Sequence, residues 1–341
     1  MKRSFLLLIL SLLMVFSFAA CGKDERAEEG NTGESYTITL SHVEPEDRSV
    51  HQGAVAFKEY IETESDGRVT VNILPNGQYG GDADSMEAVA QGTLQMTVCV
   101  SSVLTSYSDA FMVLDLPFIW DSREAFYYAL DNELGADLNA TLEDKGLIGF
   151  GYNDNGLRQM TNNIRPITQL ADFKGIKFRT MESPVFIEMF KLLGASPVPM
   201  SFDELYTALQ QGTVEGQENG AALVLASKFQ EVQKYMSITN HVYSTNAIIA
   251  NLDWFNTLSA EDQQMIRDGA QKCLIDEQRE IERNSDAKAI EDLKAAGMKV
   301  NEVSEEAMVE MRNAVLKMYD DYKAKVDAKL FEDIDIANDK F

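Results

Sequence analysis

Histidine and cysteine are almost missing from this chain, three of each in 341 residues. No Cys or His run has metal-ligand spacing and no C-x-x-C occurs, so neither a metal nor a metal-dependent cofactor is expected. The histidines, His42, His51 and His241, lie too far apart in sequence to suggest a relay. Basic residues are scarce as well: 30 Lys and Arg stand against 55 Asp and Glu, a net charge of −25. Nucleic acids are bound through clustered Lys and Arg, so this balance argues against such a partner. Catalytic signatures are absent too. There is no GxSxG, GxxxxGK[ST], HExxH or DxDxDG run, and Gly80-Gly81 lacks the GxGxxG spacing. Carboxylates are plentiful, but none is singled out as half of an acid-base pair. Together these absences point away from an enzyme.

What is present is an ordinary globular composition, 45% hydrophobic and 25% charged, in a chain long enough for two medium domains. The N-terminus departs from it. Lys2 and Arg3 precede an apolar run, Phe5 to Phe18, that ends in SFAAC. This is the pattern of a secretory signal. A cysteine directly after the small pair is similar to a bacterial lipoprotein signal, which makes Cys21 the lipidated first residue of the mature protein and places the body outside the cytoplasm, with its membrane association limited to that lipid anchor. Residues 1–20 are the expected signal and 21–35, polar and without periodicity, a flexible tether. Without Lys2 and Arg3 the balance is 28 basic against 55 acidic residues, or −27. Of the remaining cysteines, Cys99 falls in the strand-like run MTVCV and Cys273 in a helical one; two buried free thiols are expected.

From Tyr36 strand and helix patterns alternate. YTITLSH, RVTVNILP and LQMTVCV read as strands, with a helix near 50–63 and another that Asp82 can cap and Gly92 stops. Helices near 122–143, the strand LIGFGY and the loop-like NDNGLRQMTN follow. A second series opens with GIKFRT, a helix over 184–193 and ASPVPM. Ser201 and Glu204 form a capping box for the next helix, which Gly212 ends. TVEGQENG reads as a short strand and loop. A long helix starts at Ser259, and strand MKVNEV and a helix over about 305–328 close the pattern, with Met308, Met311, Val315 and Met318 as a core stripe. The α/β rhythm predicts two parallel-dominated sheets flanked by helices. A ligand crevice is then expected at the carboxyl ends of the strands.

Arg158 in NGLRQMTN, Arg179 in KFRT and Asn219 in GQENG each fall at a predicted strand end or in the loop after it. The planar guanidinium matches a carboxylate at two points and keeps its charge when partly desolvated. Two arginines and an amide facing one crevice suit a small organic acid, and in so acidic a chain such an anion has to be held by local donors. Taken singly, the residues leave simpler roles open: Arg158 pairing with an acid such as Asp154, Asn219 as a turn residue, His42 as a satisfied histidine, Phe202 as packing.

The run GASPVPMSFDELYTALQQGTVEGQEN, with KFQEVQKYMSITNH, NGLRQMTN, DFKGIKFRTMESP, LPNGQYGGD and LDLPF, closely resembles the substrate-binding proteins of tripartite ATP-independent periplasmic (TRAP) transporters, the DctP-type family. The likeness covers about 36–335. It implies a two-lobed periplasmic-binding-protein-like fold, type II-like, with a cleft between lobes and a long helix spanning both; 36–156 plus 245–284 would form lobe I and 157–244 plus 285–341 lobe II. It also implies capture of a small carboxylate ligand and its delivery to the small and large membrane subunits of a permease. By the same resemblance Arg179 grips the carboxylate, supported by Arg158 and Asn219, while Phe202 packs at the site and Ser41 and His42 touch the ligand's other end. Asp82, Ser101 and Met181 complete the candidate set. Gly220 replaces the usual Pro, Glu215 an Asp, and Val100 an acid found in sialic-acid-type members. RTMESP is similar to members that take sugar acids, which favours a hexuronate; a C4-dicarboxylate or keto acid, a sensor role and a secreted enzyme are the alternatives.

Overall fold

The protein was analysed as a computed structural model that describes residues 33–341. The expected signal over 1–20, Cys21 and most of the tether lie outside the described residues. Strands β1 (Tyr36–Ser41), β2 (Val69–Leu74) and β3 (Met96–Val100) are linked by the helices Ser49–Glu64 and Asp82–Ala90 and pair in parallel, β1 in the centre. β4 spans Leu147–Asn162, β5 Lys177–Thr180, β6 Ser196–Pro199, β7 Gly216–Gly220, β8 Tyr235–Ile238, β9 Tyr243–Asn251 and β10 Lys299–Glu302.

The expectation of parallel pairing holds for the outer strands and fails at the centre. There β9 pairs antiparallel with β3 and β4, and β4 pairs antiparallel with β7 and β8. The reason is that β4 carries the chain from the first sheet into the second, and β9 brings it back in the opposite direction. β4 is also far longer than LIGFGY. Asn153 to Gly156, read from sequence as a loop, are part of one 16-residue strand that shifts register between Gly149 and Gly151 and between Asp154 and Leu157. Gly151 (φ 127°) and Gly156 (φ 86°) supply the left-handed backbone that these bulges need.

The long helix runs from Ala260 to Ala295, with a π-helical stretch over Ala270–Glu277. Ser259 caps it, its hydroxyl accepting from the Asp262 N–H at 3.1 Å. Its middle is sewn to β4: Gln278 exchanges hydrogen bonds with the backbone of Asp154 at 3.0 and 2.7 Å, and Asn153 Nδ2 donates to the carbonyl of Leu274 at 3.1 Å. Three expected details differ. Ser201 does not cap the helix Leu205–Gln211, because its hydroxyl is taken by Asp203. Asp82 is the first helical residue and not the cap, which is Gly81, whose N–H donates to Asp84 at 3.1 Å. The final helix expected over about 305–328 is broken into Glu305–Leu316 and Met318–Lys323, and a further helix that was not expected, Ala328–Lys340, follows it.

Apolar residues gather in separate clusters on the two sheets: Ile38, Phe57 and Ile248 on the first, Leu205, Phe229 and Met236 on the second. A third runs from Phe111 and Phe126 through Phe178 to Met311, Val315 and Met318 and draws on residues of both sheets. Cys99 and Cys273 are buried and unbonded. Phe178 stacks on Phe190 at 4.8 Å and packs near Phe173 at 5.9 Å, which fixes β5 from its core face. Phe178→Ala is expected to cost about 3–5 kcal/mol, read from the urea midpoint; a loss below about 1 kcal/mol would show that β5 is not anchored there.

Candidate functional site

Strand periodicity places Arg179 on the face of β5 opposite Phe178, where it points away from the core. Its side chain is nevertheless only 3% exposed. It lines a cavity of about 330 Å³, open mouth included, between the two sheets. Arg158, Asn219, Phe202, Met181 and Asp82 line the same cavity. A second, adjoining space of about 280 Å³ lies on the Met200–Phe202 side of Arg179 and again includes Asp82.

The two arginines have opposite circumstances. Arg158 is fully buried and fully engaged. It forms a forked ion pair with Glu218, with Nη2 2.9 Å from Oε1, and donates to the Glu218 carbonyl at 2.6 Å, Asn219 Oδ1 at 2.7 Å and Ser244 Oγ at 3.2 Å. Burial pushes the Glu218 carboxyl up, but Arg158 and the His241 ring hold it below the ordinary carboxylate range. Arg158 therefore pairs with an acid, though with Glu218 and not Asp154, and it orients Asn219, whose Nδ2 donates to Gln217 Oε1 at 2.6 Å. Arg179 donates from Nε to the Met200 carbonyl at 2.9 Å, and among the described residues its terminal amino groups have no hydrogen-bond acceptor and no ion-pair partner. Burial, with the nearby Arg158 charge, pulls its pKa down to about 10, while Glu218 and Asp82 act the other way. A buried cation with free donors at a cavity wall has the chemistry to receive an anion.

Three candidates are not brought to the cavity wall. His42 is buried with Nε2 3.1 Å from His51 Nδ1; burial and that second ring pull it down to about 3, so it stays neutral. Ser41 donates to Thr97 Oγ1 at 3.0 Å. Ser101 starts a short 3₁₀ turn and is buried, while its neighbour Val100 reaches the cavity. Their place is taken by residues outside the predicted set: Glu44, Asn155 and Asn246, with Val43 and Leu223 as apolar wall. Glu44 accepts from Arg48 Nε at 2.8 Å and from Asn246 Nδ2 at 3.3 Å. Asn155 Nδ2 donates to Ser244 Oγ at 3.3 Å. Asn246 stands beside Ser244 and Thr245 ahead of the apolar run AIIA, so composition did not single it out; Glu44 was signalled only by its four-residue spacing from Arg48.

The turn after β2 closely approaches the loop after β6: a methyl group on Gly81 would lie 2.8 Å from Ser201 Oγ and 3.1 Å from Asp203 Oδ1. Two lobes joined by crossing strands and a long helix, with a buried cationic cavity where they meet, define a solute-binding protein. The sequence profile of the DctP family, "Bacterial extracellular solute-binding protein, family 7", matches residues 40–325, and the chain belongs to that family. It is 35% identical over 252 residues to the 2,3-diketo-L-gulonate-binding periplasmic protein YiaO of Escherichia coli, covering 74% of this chain and 76% of that one. To the C4-dicarboxylate-binding periplasmic protein DctP of Rhodobacter capsulatus it is 32% identical over 304 residues, 87% and 89% of the two chains. The crystal structure of the sugar acid binding protein DctPAm of Advenella mimigardefordensis with galactonate superposes with a TM-score of 0.88 at 33% identity, covering 90% of this chain and 99% of that one.

Asp82 carries a prediction of its own. Burial first, and then Glu44, raise its pKa to about 7, against the Val100 N–H and Arg179. An acid whose folded pKa exceeds its unfolded value near 3.9 binds more protons when folded, so stability falls as pH rises across that interval. In Asp82→Asn this contribution disappears: between pH 4 and 7 the ligand-free variant should lose less stability than the parent, and above pH 7 it should melt higher. Parallel melting-temperature profiles for the two proteins from pH 4 to 8 would contradict this.

Proposed function

We propose that this chain is the extracytoplasmic receptor of a TRAP transporter, capturing a small organic acid by its carboxylate between two lobes and presenting it to the small and large permease subunits. The observation that carries the proposal is Arg179, a buried guanidinium whose terminal donors are free while the neighbouring Arg158 is neutralised. A ligand carboxylate supplies the missing partner. Because the cavity draws residues from both sheets, bound ligand stabilises the closed form by its differential affinity for it. No bond need be made or broken, so the function is binding and closure, not turnover. The lobes are taken as 36–156 plus 245–284 and 157–244 plus 285–341. On these boundaries the C-terminal helix crosses the divide, since Asn338 Nδ2 donates to the Ile119 carbonyl at 2.8 Å and Lys329 pairs with Asp137 at 2.7 Å.

No helix among the described residues is long and apolar enough to cross a membrane. Lipidation at Cys21 would hold the protein at the membrane through the tether; intact-mass measurement on membrane-extracted protein should show an added diacylglyceryl group, absent from Cys21→Ser, and an unmodified Cys21 would refute it.

Titration calorimetry on the arginines tests the site. Arg179→Ala should lower affinity for the bound acid by two to four decades, the loss of about 3–5 kcal/mol expected for one partner of a buried ion pair, without lowering the melting temperature of the ligand-free protein. Arg158→Ala should instead destabilise the fold itself by a similar amount, because Glu218 is left buried and unpaired. Near-normal affinity in Arg179→Ala would reject the assignment.

A further inference from the structure

The second bulge of β4 decides which way the rest of that strand faces. From Asp154 to Leu157 β4 advances three residues while its partner β9 advances two, from Thr245 to Tyr243, so one residue is extra. In an uninterrupted strand side chains alternate, and Asn155 and Arg158, three positions apart, would stand on opposite faces. The extra residue brings both to the wall of the cavity. Asp154 is turned the other way, toward the helix Arg123–Asp131. Its carboxylate closes the bulge: Asp154 is 1% exposed, and Oδ1 accepts from the Gly156 N–H, two residues on, at 2.8 Å. Oδ2 accepts from the Tyr127 hydroxyl and lies 3.6 Å from Arg123 Nε, while Arg123 Nη2 donates to Asp286 on the long helix at 2.9 Å. On the cavity side, Ser244 Oγ accepts from both Asn155 Nδ2, at 3.3 Å, and Arg158 Nη1, at 3.2 Å, so the residues flanking the bulge are joined at the wall. The bulge also bears on β7, since a methyl group on Gly156 would lie 3.2 Å from the Cα of Gly220, next to Asn219.

We propose that Asp154 is a positioning residue for ligand capture: from outside the cavity, its carboxylate holds the bulge that sets Asn155 and Arg158 on one wall. This rests on the receptor role of the cavity proposed above and adds to it a residue that does not touch the ligand. An ionised acceptor holds a backbone N–H more strongly than a neutral one. A buried carboxylate also needs its donors, and Asp154 draws them from two elements, Gly156 on β4 and Tyr127 and Arg123 on the helix behind it. The backbone of the same residue is clasped by Gln278 on both its N–H and its carbonyl. Removing the carboxylate leaves the buried Gly156 N–H without an acceptor, which is the costly outcome for a buried donor. The extra residue is then free to move along the strand, and a slip of one position turns Asn155 or Arg158 away from the wall.

Titration calorimetry of the mature chain tests this, with galactonate, glucuronate, succinate and pyruvate as probes and the tightest binder carried through the variants. Asp154→Ala should bind it at least tenfold more weakly. Asp154→Asn, which keeps an acceptor for the Gly156 N–H, should stay within threefold of the parent. Asn155→Ala should also weaken binding. The double variant Asp154→Ala/Asn155→Ala should then lose at least fivefold less than the product of the two single losses, because the first residue acts partly through the second. Phe57→Ala, in the first-sheet core, lowers stability away from the bulge and should bind normally. Full affinity in Asp154→Ala, an equal loss in Asp154→Asn, losses that multiply in the double variant, or a matching loss in Phe57→Ala would each overturn the proposal and leave Arg179 in its role. If Asp154→Ala does not fold, Tyr127→Phe, which removes one donor to the same carboxylate, should weaken binding threefold or more, and unchanged affinity there overturns it. If the parent binds none of the four acids, the receptor reading falls and this proposal with it.

Discussion

A buried positive charge without a counter-charge is the constraint around which this site is organised. Removing a guanidinium from water is costly, and proteins ordinarily offset it with an ion pair. Arg158 follows that rule, closed in by Glu218, Asn219 and Ser244. Arg179, on the neighbouring strand, has the Met200 carbonyl and the more distant field of Glu218. The fold keeps one arginine complete and one incomplete, and this difference separates architecture from recognition. The net charge of −25 sharpens it, because the long-range field of the protein works against an anionic ligand and leaves the affinity to short-range donors.

The incomplete arginine is backed by packed and hydrogen-bonded neighbours. Phe178 fixes β5 from the core side, β7 lies beside it, and Glu218 and Asn219 on β7 are locked by Arg158. On the first-sheet side the wall is equally tied down: Glu44 is held by Arg48, which also meets Glu282 on the long helix at 2.9 Å. The cavity wall is thus continuous with the helix that runs along both lobes, and the donors and acceptors are set before the ligand arrives.

Much of this was legible in the sequence, for definite reasons. Alternation in KGIKFRT put Phe178 and Arg179 on opposite faces, and the pairing of arginine with amide singled out Arg158 and Asn219, although Arg158 lies within β4 and not at a strand end; Asp82 came from the family resemblance. What was not legible came from side chains finding partners that spacing does not reveal. His42 turned to His51 and Ser41 to Thr97, so neither reaches the cavity wall. Asp203 intercepted the Ser201 hydroxyl that would have capped a helix. The stretch Asn153–Gly156 has turn composition, yet β9 on one side and Gln278 of the long helix keep it extended, which tertiary context alone decides. Glu44 escaped notice because its one signal, the four-residue spacing from Arg48, is commonplace in so acidic a chain until burial is known.

The bulged strand β4 has one more consequence. The lobes are not joined by slack linkers; they share a strand that is hydrogen-bonded along most of its length and clamped at its middle by the long helix. The register shifts flanking Gly151 and Gly156 are the places where this shared strand is least tied to its neighbouring strands, so a leaf spring is the mechanical analogue: any closing of the lobes would have to flex there against a ladder that is continuous elsewhere.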